Sequence, residues 1–88
     1  MEQLGYGIGL IAAALTSLSY IPQVRKAYPK GATGDLSVKT LVALGGGLAL
    51  WVAYGLIRRD IVVIVANLLG LSLVIALLTF KIRDIRQS

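Results

Sequence analysis

Three apolar runs, at residues 4–24, 36–57 and 61–82, take up almost all of an 88-residue chain. Each is about 20 residues long, the length a helix needs to cross a hydrocarbon core of roughly 30 Å. With 57% hydrophobic and only 15% charged residues, the chain is too apolar and too short to build a water-facing globule around a core. The expected fold class is therefore an all-α integral membrane protein, a bundle of three transmembrane helices at about 4–27, 36–58 and 60–84. The residues left over leave no room for a soluble domain, so the function lies within the bilayer. The first run does not read as a removable signal peptide, because residues 1–9 carry Glu2 and no Lys or Arg.

Charge placement orients the helices. Of nine Lys and Arg, four (Arg25, Lys26, Lys30, Lys39) flank the first connection and three (Lys81, Arg83, Arg86) lie in the tail, against two (Arg58, Arg59) in the second connection. The positive-inside rule then predicts the N-terminus outside, with the first connection and the C-terminus in the cytoplasm. The same distribution explains the net charge of +5 without nucleic acid, since the basic residues sit at the ends of apolar runs. No Cys and no His are present, so Cys/His nucleophiles and soft-metal sites are excluded, and neither a metal nor a cofactor is expected.

The connections differ in kind. Around residues 28–37 stand the breakers Pro29, Gly31 and Gly34, with Asp35 or Ser37 as a candidate N-cap. Between the second and third helices, Arg58, Arg59 and Asp60 leave space for little more than a turn. Those helices should be antiparallel neighbours, with Asp60 capping the third. Small residues recur every fourth position, at Gly5, Gly9, Ala13 and Ser17, at Gly45, Ala49 and Ala53, and at Ala66 and Gly70; such stripes serve close helix packing.

Candidate functional residues come from the few polar and aromatic groups left. At about 100° per residue, Trp51, Tyr54 and Arg58 share one face of the second helix, while Ala49 and Ala53 lie about 160° away from Trp51. Trp51 is as far from Arg58 as Asn67 is from Asp60, which places indole and amide together about 10 Å below the outer boundary. An indole face suits the C–H surface of a pyranose and an amide suits its hydroxyls. Taken singly, Trp51 also fits an interfacial anchor and Asn67 a helix-to-helix hydrogen bond. Tyr54, Arg58 and Asp60 cluster at the outer mouth, either as a gate or as a snorkelling Arg beside a cap. Pro22 removes a hydrogen bond from the carbonyl of Leu18 and makes either a hinge or a static kink, with Gln23 beside it. Thr16, Ser19 and Tyr20 add candidate pocket lining, although Ser and Thr can bond back to their own helix. No ionisable residue stands in the middle of a span. Proton relay thus has no obvious carrier, and facilitated diffusion of an uncharged solute is the reading that remains.

The segments TSLSYIPQV at 16–24, WVAYGLIRRD at 51–60 and IVAN at 64–67 together resemble the bacterial SemiSWEET sugar transporters of the PQ-loop superfamily. The resemblance spans essentially the whole chain. It implies a multi-pass protein of the bacterial inner membrane, in which two copies pair in parallel as a homodimer and hold a small neutral sugar between them by alternating access. It also implies roles by residue: Trp51 and Asn67 bind the sugar, Tyr54, Arg58 and Asp60 form the outer gate, and Pro22 and Gln23 form the hinge and inner gate. Enzymatic chemistry is not implied. The alternatives are a carrier of another small solute, such as an amino acid, and a noncarrier membrane subunit. Gly45, Gly46 and Gly47 match no motif of the family and leave the stiffness of the second helix open.

Overall fold

The structure, a computed structural model, describes residues 2–87 and consists of α1 (Glu2–Ala27), α2 (Val38–Arg58) and α3 (Ile61–Gln87). All three helices are long and apolar enough to cross a membrane. Helix is the expected solution for such segments, because lipid offers no partner to an unpaired backbone group. No more than 17% of any apolar span is fully buried within the chain, and most residues of α1 and α2 face something other than a sister helix.

Each end has a local cause. Ser37 begins α2, in extended conformation (φ −110°, ψ 125°), with its Oγ accepting from Thr40 N at 3.3 Å. Asp35, the other candidate cap, instead forms an exposed ion pair with Lys26 at 3.4 Å. At the far end of α2, Arg59 turns left-handed (φ 55°, ψ 40°). Asp60 N then donates to Gly55 O at 2.9 Å and Arg59 N to Leu56 O at 3.3 Å, the paired bonds of a Schellman motif. Asp60 Oδ1 accepts from Val62 N (3.1 Å) and Val63 N (3.3 Å), so the residue that leaves α2 also caps α3. Pro22 does not end α1; the helix runs on through it to Ala27, with Arg25 and Lys26 in its last turn, where cations complement the helix dipole.

In space the order of the helices is α1, α3, α2. The third helix packs against both others, whereas α1 and α2 have no Cα atoms within 8 Å of each other. The bundle is thus an open row, 52 × 23 × 13 Å, in which α1 and α3 run parallel and α2 runs antiparallel to both. Glycines let the seams close. Gly9 faces Val62 across the α1–α3 seam, and Gly55, Gly45 and Gly70 face Val63 and Ile64, Val74, and Leu48 across the α2–α3 seam. One expected stripe is not used: Ala49 and Ala53 are exposed, and α2 packs instead through Leu41, Gly45, Leu48 and Gly55. The reason is angular, since these four lie within about 120° of Trp51 on one side, and Ala49 and Ala53 fall beyond them. The best-buried cluster, Ala27, Leu41, Val74 and Leu77, sits toward the end that carries the 28–37 loop.

Candidate functional site

Trp51 projects from the flank of α2 beside its packing face, and its indole remains 55% exposed. Tyr54, one turn on, meets it edge to face, with ring centroids 5.5 Å apart and planes at 86°. Together with Gly47 and Leu50 the two rings line a shallow, open depression of about 480 Å³. Gly47 contributes by omission, because a Cβ there would meet nothing within 4 Å.

Asn67 lies on α3, half-buried. Its Nδ2 donates to Val63 O one turn back at 2.7 Å, which fixes the rotamer of the amide. The second N–H and the carbonyl oxygen have no hydrogen-bond partner among the described residues. The α2–α3 register sets Asn67 against Trp51. Leu48 faces Gly70, and Gly55 faces Val63 and Ile64. Three residues from Leu48 toward the turn is Trp51, and three from Gly70 is Asn67, so in antiparallel helices the two occupy one level. No hydrogen bond joins them within the chain.

The three residues of the turn end are not brought together in a single chain. Tyr54 is engaged with Trp51 and Asp60 with the first N–H groups of α3. Arg58 is exposed and has no ion-pair partner among the described residues, whose salt bridges are Lys26–Asp35 and Arg83–Asp84. Asp60 also borders a small hollow with Gly5, Tyr6 and Val62.

Toward the loop end, Ser19 Oγ donates to Thr16 O at 2.6 Å, so this hydroxyl turns back on α1. Tyr20 packs against the buried cluster, and it borders with Gln23 a groove between α1 and α2 that is continued by Ser37 and Thr40 and floored by Leu77. Thr16 lies outside this groove, exposed on α1.

One polar cluster has no counterpart in the sequence reading. Asp84, on the last turns of α3, accepts from Gly31 N (3.0 Å), Thr33 N (3.3 Å) and Thr33 Oγ1 (2.6 Å), and from Arg83 Nε (2.9 Å). Arg83 also donates from Nη1 to the carbonyl of Tyr28 and from Nη2 to those of Ala27 and Pro29. Lys81 Nζ donates to Thr33 O at 2.9 Å. The signal available was an Asp set in an otherwise basic tail, opposite a Gly- and Thr-bearing loop.

What these groups can do is bind and move. Among the described residues there is no cluster of metal ligands, and the exposed aromatic pair and the amide with spare hydrogen-bonding atoms are suited to contact with a neutral polar molecule.

Comparison with known proteins agrees with that chemistry. A model of the PQ loop repeat matches residues 4–64. Over 88 residues, all of this chain and all of its relative, the chain is 35% identical to the sugar transporter SemiSWEET of Leptospira biflexa. The crystal structure of a bacterial homologue of SWEET transporters superposes with a TM-score of 0.82 at 36% identity, covering 92% of this chain and 98% of the other. That of SemiSWEET in the inward-open conformation gives a TM-score of 0.82 at 28% identity, over 99% and 92%. The chain is a multi-pass membrane protein with three spans, not an enzyme, and it belongs to the SemiSWEET sugar-transporter family of PQ-loop proteins.

Proposed function

We propose that two copies of this chain pair in parallel and carry a small neutral sugar, a mono- or disaccharide, across the bacterial inner membrane as a uniporter. The observation that carries this reading is the exposed Trp51 indole level with the unused hydrogen-bonding atoms of Asn67. A row of three helices has no interior in which to enclose a solute, so the Trp51 depression becomes a pocket only when a second row faces it. In the dimer two indoles cover the apolar faces of the sugar ring and two amides take its hydroxyls. The loop 28–37 and the C-terminus lie in the cytoplasm, as their basic residues favour. Tyr54, Arg58 and Asp60 form the outer gate, where Arg58 of one copy, with no ion-pair partner among the described residues of its own chain, finds acceptors on the other. Pro22 is the hinge through which the end of α1, with Gln23, opens the inner side. With no ionisable group in mid-span, the sugar moves down its own gradient.

The test is uptake of radiolabelled mono- and disaccharides into proteoliposomes. Wild type should take up at least one sugar, Trp51→Ala and Asn67→Ala should take up little, and an imposed pH gradient should drive no accumulation. Equal uptake by all three proteins would refute the site, and pH-driven accumulation would refute uniport.

A further inference from the structure

Because α3 stands between α1 and α2, the 28–37 loop that joins the outer two must pass across the end of the middle one. It does so against Lys81, Arg83 and Asp84. The carbonyls of Ala27, Tyr28 and Pro29, where α1 ends, all receive Arg83, that of Pro29 together with the Ala32 amide, and the amides of Gly31 and Thr33 are both taken by Asp84. Two adjacent residues of α3 thus hold the acceptors and the donors of one loop, and an Nε–Oδ1 bond joins them to each other. Arg83 also lies over the Phe80 ring at 5.1 Å, and Phe80 meets Tyr28 edge to face at 5.6 Å. The inner side of the cluster is buried, with Ala27 3% and Thr33 1% exposed, while Tyr28 and Gly31 border solvent.

We infer that Arg83 and Asp84 are positioning residues for transport, which fuse the end of α1, the 28–37 loop and the end of α3 into one rigid body. This rests on the transport reading above. Ion-assisted bonds in such number, in a partly buried setting, form a joint that the working motion does not break. The four residues between Pro22 and the joint, Gln23 to Lys26, therefore do not swing free. The bend at Pro22 is transmitted to the end of α3, and both helix ends travel together.

The chain has no cysteine, which makes the test direct. Lys30 and Gln87 border the same small hollow beside Asp84. Replacing both, Lys30→Cys with Gln87→Cys, allows a short bismaleimide, to whose two double bonds the thiols add, to tie the loop to α3, and the intrachain product runs as a monomer on a denaturing gel. The tied protein should take up sugar at the wild-type rate. Asp84→Ala, which removes all four bonds that the carboxylate accepts, should lower uptake at least tenfold, and the tie should restore it. Thr33→Val, which keeps the buried volume and removes one of the four, should lower uptake by a smaller factor, about threefold. Transport abolished by the tie, unchanged in Asp84→Ala, or lost in Asp84→Ala without rescue would each overturn the inference. Hydrogen exchange gives a readout independent of any sugar. The amides of Gly31 and Thr33 should be protected in wild type and released in Asp84→Ala; equal exchange in the two would overturn the inference even if wild type carried no sugar.

Discussion

Adding one methyl group to the α2–α3 seam should have opposite effects at two glycines that are both buried. At Gly70 a Cβ would lie 3.5 Å from Leu48 Cδ2 and 3.6 Å from Leu48 Cδ1, ordinary van der Waals contact. Gly70→Ala therefore recovers most of the helix propensity that glycine forgoes, up to about 1 kcal/mol, with added dispersion and no clash. At Gly55 the same atom would come 2.9 Å from Ile64 Cγ1, 3.1 Å from Val63 Cγ1 and 3.2 Å from Ile64 N. Side-chain tips can turn away, but Ile64 N cannot, because it donates to Asp60 O at 3.1 Å in a helix start held by the Asp60 cap. Overpacking costs about 1–3 kcal/mol, and against a backbone atom that cannot yield the upper part of that range, about 2–3 kcal/mol, applies; less the propensity gain, Gly55→Ala is about 1–2 kcal/mol less stable. Thermal unfolding in detergent, followed by circular dichroism, should place Gly70→Ala above and Gly55→Ala below wild type. A Gly55→Ala protein that melts at or above wild type would refute the close approach of α2 to the start of α3.

Asp60→Asn keeps a capping oxygen and removes a charge, so its unfolding midpoint should stay within about 0.5 kcal/mol of wild type while sugar uptake falls; unchanged uptake would assign Asp60 to capping alone. Arg59→Gly should stabilise the chain by about 0.5–1 kcal/mol, because the left-handed φ of 55° strains any residue with a Cβ; a lower midpoint would show that the Arg59 side chain contributes more than its backbone costs.

The three spans were legible because length and apolarity are properties of contiguous sequence, and lipid leaves a helix as the only outcome for such a run. The Asp60 cap was legible for the same local reason, since it acts on residues two and three positions away. The arrangement of the helices was not. Small residues every fourth position mark faces able to pack but do not say which partner they meet, and Ala49 and Ala53 share their period with Gly45 without sharing its burial. The Arg83–Asp84 joint links residues about fifty positions apart, and no local periodicity encodes it. At the candidate site the depth of Trp51 and Asn67 follows from counting along two antiparallel helices. The freedom of the Asn67 carbonyl required the side-chain rotamer, fixed by Val63 O.

The spatial order α1, α3, α2 also governs how the chain must assemble as it enters the membrane. When α1 and α2 have been synthesised their backbones make no close approach, and the side chains they bring together, Tyr20 and Ala27 with Leu41, meet around Leu77 of a helix not yet made, so no tightly packed helical hairpin forms before α3. Only the last helix to emerge brings both seams, and it must enter between two helices already in place. Arg83 and Asp84, near its final residues, then tie down the loop made some fifty residues earlier. Assembly consequently waits on α3: a ribosome that stops after α2 leaves two spans and neither of the packed seams.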